Sequence, residues 1–250
     1  MRSIKFLFLS SLLTVILIGC KQAKNDQELP FTEDTSVRKT VIAQLQTMKT
    51  DDFRKAFERV VHKKHQSEVD LRVLDTSGAE TGRQVRTLRL VPKQPPVVLS
   101  AIQSGLFKPE NTEEIPTTDT TFPELFLPDP NAMKSAQFWE KYLFRQLEDR
   151  NLPFGTVHVF EMAAHPNNHT APEITQLRYF ITQQDQKLVG VEIKRTIQNF
   201  IFAEQSFGTL LLQPVAGIWL PIEARFTLLS QTLFLSPQNL SIRYRYAYEE

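Results

Sequence analysis

Apolar residues recur with two different periods along this 250-residue chain. Between Val37 and Met48 they return every three or four positions, which predicts an amphipathic helix that begins near the capping residue Asp34. A second helix follows residue 50, with an apolar face that runs from Phe53 to Val61. The N-terminal part of the domain is therefore predicted to be helical.

After Gln66 the period changes to two, which is typical of a strand with one buried face. Residues 69–73 form the first predicted strand, Ser77-Gly78 turns the chain, and residues 84–91 form its partner. A short helix leading into a strand is predicted over residues 132–147. The last hundred residues then predict six or seven strands, and their short connections imply antiparallel pairing.

Residues 92–130 interrupt this pattern, because they are rich in proline and threonine yet carry scattered apolar side chains. They predict a long irregular segment. Two interpretations stay open: a functional loop or lid over the domain, or a loop that packs its own small cluster.

Cys20 is the only cysteine and closes the run Leu17-Ile18-Gly19-Cys20. Arg2 and Lys5 precede an uncharged, mostly apolar stretch that is too short to span a bilayer comfortably. This arrangement resembles the lipobox of bacterial lipoproteins, which implies lipidation at Cys20. The predicted organisation is a signal peptide over residues 1–19, a lipidated N-terminus and tether over 20–32, and a single domain over 33–250. An ordinary secreted protein is the alternative.

Charge and cysteine content narrow the classes of partner. The chain has 29 basic and 28 acidic residues, so it offers no argument for binding nucleic acid. Lipidation of Cys20 would leave no thiol for a disulfide or a thiolate metal site. The 18 phenylalanines fit an extensive apolar interior or an apolar groove.

Signatures of enzymes are scarce, and the sequence predicts a protein without catalytic residues, cofactor or metal. His62 and His65 stand three residues apart near a helix end, where a solvated terminus is favoured over a metal site. Glu161, His165 and His169 have suggestive spacing but straddle a strand end and a turn. An envelope enzyme acting through the His165 region is kept as a minor alternative.

Two stretches, Lys187–Glu192 (KLVGVE) and Gly217–Pro221 (GIWLP), carry a resemblance to the outer-membrane lipoprotein-sorting (LolA/LolB-like) superfamily. The resemblance implies an α+β fold in which a strongly curved antiparallel sheet, an unclosed half-barrel, wraps over N-terminal helices and a loop-rich lid. It also implies an apolar concave face that holds acyl chains. Candidate lining residues on the predicted strands are Leu177, Tyr179, Ile193, Phe202, Leu220 and Phe226.

The expected function is that of a membrane-anchored periplasmic lipoprotein that binds lipid or lipoprotein acyl chains. The alternative is a structural or interaction lipoprotein whose sheet edge, or a Tyr/Arg face formed by Arg243 to Tyr246, meets an envelope partner. Lys21 stands where an aspartate usually retains lipoproteins of this class on the inner membrane. The resemblance therefore implies an outer-membrane address facing the periplasm.

Overall fold

Helices, strands and turns are assigned from a computed structural model, which describes residues 32–47, 51–106, 128, 131–166, 173–199, 201–232 and 238–249. The predicted signal peptide, Cys20 and nearly all of the tether lie outside these residues, as do residues 107–127 of the expected lid. From Thr32 to Glu250 the chain forms one unit.

Two helices open this unit, as the apolar periodicity predicts. Helix α1 spans Thr35–Thr47 and helix α2 spans Asp51–Val60. Asp34 caps α1, because its Oδ1 accepts hydrogen bonds from the backbone N–H of Ser36 at 2.9 Å and of Val37 at 3.4 Å. Side-chain capping therefore fixes where the first helix begins.

Ten strands and a short helical connection make up the rest of the described chain. The strands are β1 (His65–Leu74), β2 (Glu80–Leu90), β3 (Val97–Gly105), β4 (Tyr142–Leu152), β5 (Gly155–Ala164), β6 (Ile174–Thr182), β7 (Leu188–Gln198), β8 (Phe202–Val215), β9 (Ile218–Thr232) and β10 (Gln238–Tyr248). A 3₁₀ turn (Ala132–Lys134) and helix α3 (Ala136–Trp139) lead into β4. The predicted short helix before a strand is confirmed.

All ten strands pair antiparallel in one sheet, in the order β3-β2-β1-β10-β9-β8-β7-β6-β5-β4. The first strand of the chain pairs with the last, so the N-terminal hairpin extends the meander formed by β4 to β10. Strands β3 and β4 lie at opposite edges and do not pair with each other. The predicted α+β class with an unclosed antiparallel sheet is confirmed.

One part of the sequence prediction is wrong: residues 97–105 are not irregular but form β3. The three prolines of this region, Pro92, Pro95 and Pro96, all precede Val97, so none of them removes a backbone donor from the strand. Prolines that lie before a strand belong to the connecting loop. They do not prevent the strand that follows from pairing with its neighbour.

Two bulges change which side chains share a face. The pairing of β8 with β9 shifts between Leu211 and Leu212, and Pro221 lies at this shift within an interior strand. The proline therefore marks a bulge rather than an edge. A second shift, between β6 and β7, lies beside Val189. Because of this shift, Val189 belongs to a hydrophobic cluster on the face opposite to Val191 and Ile193.

Candidate functional site

A single row of paired residues crosses the sheet from edge to edge on the face that the helices contact, here called the inner face. Each residue of this central row is the register partner of the next. The row runs from β4 to β3 through Phe144, Met162, Leu177, Ile193, Gly208, Phe226, Ile242, Leu71, Gln84 and Gln103. The side chains of this row are apolar over most of its length and polar at the end formed by β2 and β3.

The first half of the row is sealed by the helices. Phe144, Met162 and Leu177 are fully buried, and Ile193 is 4% exposed. Apolar side chains of the helical elements complete one core cluster with them. Those side chains are Val37, Val41, Ala56, Phe57, Met133 and Trp139. Helix α1 lies against β4 and helix α2 against β9. The core is thus concentrated under the helices.

The second half of the inner face is less covered. Beyond Gly208, six large apolar side chains of β9, β10 and β1 are only partly buried. They form two adjacent rows of three, paired in register. These rows, here called the inner-face patch, are Phe226, Ile242 and Leu71 in the central row, and Leu228, Leu240 and Val73 beside it. The patch is a contiguous apolar surface next to the core.

Three of the six predicted lining residues lie in the sealed core. Leu177, Tyr179 and Ile193 pack in the cluster under the helices, and Phe226 packs against its margin. Leu220 is buried but belongs to neither hydrophobic cluster, and Phe202 is partly exposed at the start of β8. The structure therefore brings four of the six residues to one contiguous region and leaves Leu220 and Phe202 apart.

The sequence interpretation missed five of the six patch residues. The sequence predicts Leu71 and Val73 on a strand with one buried face, and Leu228 and Ile242 on strands of the last hundred residues, but it does not join them into one surface. The missing information was that β1 pairs with β10, a contact between residues about 170 positions apart. Local periodicity carries no signal for such a pairing.

His65 and Tyr179 are among the buried polar side chains of the inner face. His65 is fully buried, and burial lowers the pKa of its imidazole. Its Nδ1 lies 2.8 Å from the carbonyl oxygen of Lys63, which can only accept, so Nδ1 carries the proton of the neutral ring. Tyr179 is 1% exposed, and burial raises the pKa of its hydroxyl.

The outer face carries a second, smaller hydrophobic cluster (Val157, Val159, Phe180 and Val189) and, beside it, a group of charged side chains. The Glu161 carboxylate is fully buried and accepts hydrogen bonds from Arg145, Arg178 and Gln176. Burial alone would raise the pKa of Glu161, but Arg178 and Arg145 hold it below its ordinary value. Arginine side chains thus occupy both oxygens that a metal ion would need. His169 lies outside the described residues, and those residues contain no group of three acidic, histidine or cysteine side chains suited to a metal ion.

The predicted Tyr/Arg face does not form, because Arg243 and Arg245 are on the outer face while Tyr244 and Tyr246 are on the inner face. Arg243 pairs with Glu223 at 2.7 Å, and Arg245 pairs with Glu68 at 3.2 Å. Tyr244 and Tyr246 belong to or pack against the core cluster. Alternation along β10 therefore divides these four residues between two environments.

The two edges of the sheet differ in protection. Edge strand β4 contains Arg145, Glu148, Asp149 and Arg150, has a register shift, and meets the backbone N–H of Asp34 at 2.9 Å through the carbonyl of Phe144. Edge strand β3 contains no charged residue and no proline. Its apolar side chains are exposed, from 49% to 64% of their area, at Val97, Val98, Leu99 and Ile102. Charges and irregularities normally blunt a free edge, and β3 lacks charges.

Among the helices of the described residues, none combines the length and hydropathy that a transmembrane span requires.

No family model matches this sequence, and no curated protein matches it. Several solved structures are similar. One is a LolA superfamily protein from Nitrosomonas europaea, at 12% identity and a TM-score of 0.25 over 80% of this chain and 93% of that one. Another is a putative outer membrane lipoprotein-sorting protein domain from Vibrio parahaemolyticus, at 12% identity and a TM-score of 0.30 over 81% and 93%.

A third is a DUF1329 family protein from Desulfovibrio piger, at 8% identity and a TM-score of 0.25 over 80% of this chain and 92% of that one. Two of the three belong by their names to the superfamily that the sequence resembles. Similarities of this size carry no weight for function, so the functional argument depends on the residues of this chain.

Proposed function

We propose that this protein is a non-enzymatic, lipid-anchored protein of the bacterial cell envelope that binds acyl chains against the inner-face patch. The observation that carries the proposal is the patch itself, six large apolar side chains on three neighbouring strands that the helices cover only in part. Burying apolar area contributes about 25 cal/mol per Å², so an acyl chain laid over this surface gains affinity without any chemical step.

The anchor is proposed at Cys20, within the signal-like N-terminus. Eleven residues lie between Cys20 and Thr32, and the twelve steps from one to the other can span at most about 43 Å when extended, which would keep the domain near the bilayer. Lys21 after the cysteine supports an outer-membrane address facing the periplasm. Several acyl chains on one residue would satisfy the need for more than one membrane signal.

Photolabelling tests the binding site. The full-length protein, reconstituted in phosphatidylcholine nanodiscs, is exposed to a palmitic acid that carries a photoreactive diazirine, and labelled peptides are mapped by mass spectrometry. We expect saturable labelling in β1, β9 and β10. Leu228→Gln combined with Leu240→Gln should reduce labelling about tenfold, because these two residues are register partners in the patch.

The matched control is Phe207→Gln. Phe207 is 39% exposed and precedes Gly208 on β8, so its side chain lies on the outer face. This variant should label as the wild type does. Labelling that does not saturate, or that the paired patch substitution leaves unchanged, would refute the proposed site.

The anchor is tested separately by feeding cells an alkyne-tagged fatty acid and detecting the tag on the purified protein. The wild-type chain should carry the tag and Cys20→Ala should not. A tagged Cys20→Ala variant, or an untagged wild type, would contradict lipidation at this residue.

A second candidate function rests on edge strand β3. We propose that β3 accepts an extended, acidic segment of an envelope protein as an eleventh strand. Apolar side chains of β3 are exposed at Val97, Val98, Leu99 and Ile102, and its outer edge offers backbone groups that another strand satisfies and lipid does not. Arg83 and Arg89 of the neighbouring strand form ion pairs with Asp70 and Glu249. Arg86 and Lys93 form no ion pair with a described residue, so these two cations complement an acidic partner.

A photoreactive amino acid at Ser100, with Ile197 on interior strand β7 as the control position, tests this role in living cells. The expected result is one discrete protein adduct at Ser100 that disappears when Ala101→Pro removes a backbone donor from β3. A self-adduct, a lipid adduct only, or an adduct that survives Ala101→Pro would overturn it.

A further inference from the structure

The central row changes from apolar to polar side chains next to the inner-face patch. At this point Gln84 of β2 is the register partner of Leu71. Gln84 is 3% exposed, and its side-chain nitrogen has no hydrogen-bond partner among the residues that the structure describes. A buried donor without a partner costs about 1–3 kcal/mol, so native structures rarely retain one without a reason. The side-chain N–H of Gln84, at the end of the apolar part of the row, therefore still needs a hydrogen-bond acceptor.

The surroundings of Gln84 identify the kind of group. An amide N–H donates, so the missing partner must be an acceptor, such as an oxygen. Arg86 follows on the same face, two residues and about 6.6 Å along the strand, where it is the register partner of Val69. No ion pair joins Arg86 to any residue that the structure describes. A donor and a nearby cation together favour an anionic oxygen over a neutral one.

The geometry of the row gives the ligand its orientation. Phe226, Ile242, Leu71 and Gln84 lie on four successive strands, β9, β10, β1 and β2. Three inter-strand spacings of about 4.8 Å make this path roughly 14 Å long. A flexible acyl chain can follow three apolar positions and end at the amide.

We propose, resting on the acyl-chain function above, that the ligand of the inner-face patch carries a carboxylate, which Gln84 binds through its side-chain N–H while the chain lies over Leu71, Ile242 and Phe226. The preferred ligand is then a fatty acid rather than a neutral or cationic lipid. Arg86 contributes charge attraction at the same end.

Competition against the photoreactive palmitate tests this inference with two probes of equal chain length, each below its micelle concentration. Dodecanoate presents an anionic acceptor, and dodecyltrimethylammonium presents neither an acceptor nor a donor. We expect the wild-type nanodisc protein to bind dodecanoate at least tenfold more tightly. Gln84→Leu should remove about tenfold of dodecanoate affinity and leave the ammonium affinity unchanged.

Thermal unfolding without ligand separates this role from a structural one. Because Gln84→Leu replaces an unsatisfied amide by an apolar group of similar size, its midpoint should stay level or rise while carboxylate affinity falls. Gln103→Leu is the control, since Gln103 is the register partner of Gln84 on the same face but is partly exposed. It should bind both probes as the wild type does.

Results that contradict the carboxylate assignment differ from those that contradict acyl-chain binding. Equal affinity for both probes, or a Gln84→Leu variant that binds dodecanoate normally, would overturn the carboxylate assignment and leave acyl-chain binding intact. A Gln84→Leu variant that loses stability and both affinities together would show a structural role and overturn it as well. Failure of every probe to compete with the photoreactive palmitate would refute the proposed function itself.

Discussion

Arg178 and Glu161 are register partners on β6 and β5, and the Arg178 Nε lies 2.8 Å from Oε1 of a carboxylate that has no exposed surface. Arg145 holds the other oxygen from β4, with its Nε 2.6 Å from Oε2. One buried carboxylate thus joins the last three strands of the sheet. Removing one member of such a group leaves the others desolvated without a partner.

We therefore expect Glu161→Gln to lower the free energy of unfolding at pH 7 by about 2 kcal/mol or more, the scale of hydrogen bonds to charged groups. Urea denaturation measures it. Glu68→Gln is the control, because Glu68 and Arg245 form an exposed pair and such pairs contribute about 0–1 kcal/mol. Equal effects of the two substitutions would show that the buried carboxylate has no special role.

Acid should destabilise the protein through the same kind of group. Burial alone would raise the pKa of Asp70, but Arg72 and Arg83 lower it to about 2. A carboxylate whose pKa is lower in the folded state stabilises the fold above its unfolded pKa, near 4, and loses that contribution as the pH falls towards 2. Glu161 has the same sign.

The free energy of unfolding should thus fall steadily from about pH 4.5 to pH 2 in the wild type. In Asp70→Asn combined with Glu161→Gln the fall should be distinctly smaller, although the protein is less stable at pH 7. Denaturation curves at several pH values provide the comparison, and parallel pH profiles would contradict this account.

Tyr179 offers a test of the sealed core. Its buried hydroxyl has no hydrogen-bond partner in the described part of the chain. Tyr179→Phe therefore removes an uncompensated polar group and should leave stability unchanged or raise it by up to about 1 kcal/mol. Tyr248→Phe is the contrast, because the Tyr248 hydroxyl donates to the carbonyl of Pro221 at 2.6 Å. It should cost about 1 kcal/mol. A marked loss in Tyr179→Phe would reveal a partner inside the core.

Gly190 tests the packing of the second, outer-face cluster. A Cβ at this position would lie 2.4 Å from Cδ2 of Phe180 and 2.8 Å from Cδ2 of Leu211. Gly190→Ala should therefore overpack the cluster and lower the free energy of unfolding by about 1–3 kcal/mol. Gly190→Ala combined with Leu211→Ala should recover part of the loss, and additive losses in the pair would argue against a steric origin.

The sequence was sufficient for features that depend on neighbours along the chain. Asp34 caps the first helix as expected, and the period-two alternation predicts strands after Gln66 and through the last hundred residues. Antiparallel order followed from short connections, as between β6 and β7. Each of these features is decided within about 15 residues.

Features that depend on distant contacts were not predictable in this way. Strand β3 was mistaken for loop because its prolines hid a strand that only pairing with β2 stabilises. Gln84 looked like any polar residue of a one-sided strand, and only its place beside Leu71 shows that it is buried. The patch likewise required the pairing of β1 with β10. The residue types of a strand do not show which of its apolar side chains the helices cover.

Methyl NMR of the nanodisc-anchored protein with a spin-labelled stearic acid tests the central claim most directly, because paramagnetic broadening reports which side chains the chain approaches. The account predicts saturable broadening of the methyl signals of Leu71, Val73, Leu228, Leu240 and Ile242, with Val157 and Val159 of the outer-face cluster unaffected. Broadening centred on Val97, Val98 and Leu99 of β3, or no selective broadening at any concentration, would contradict it.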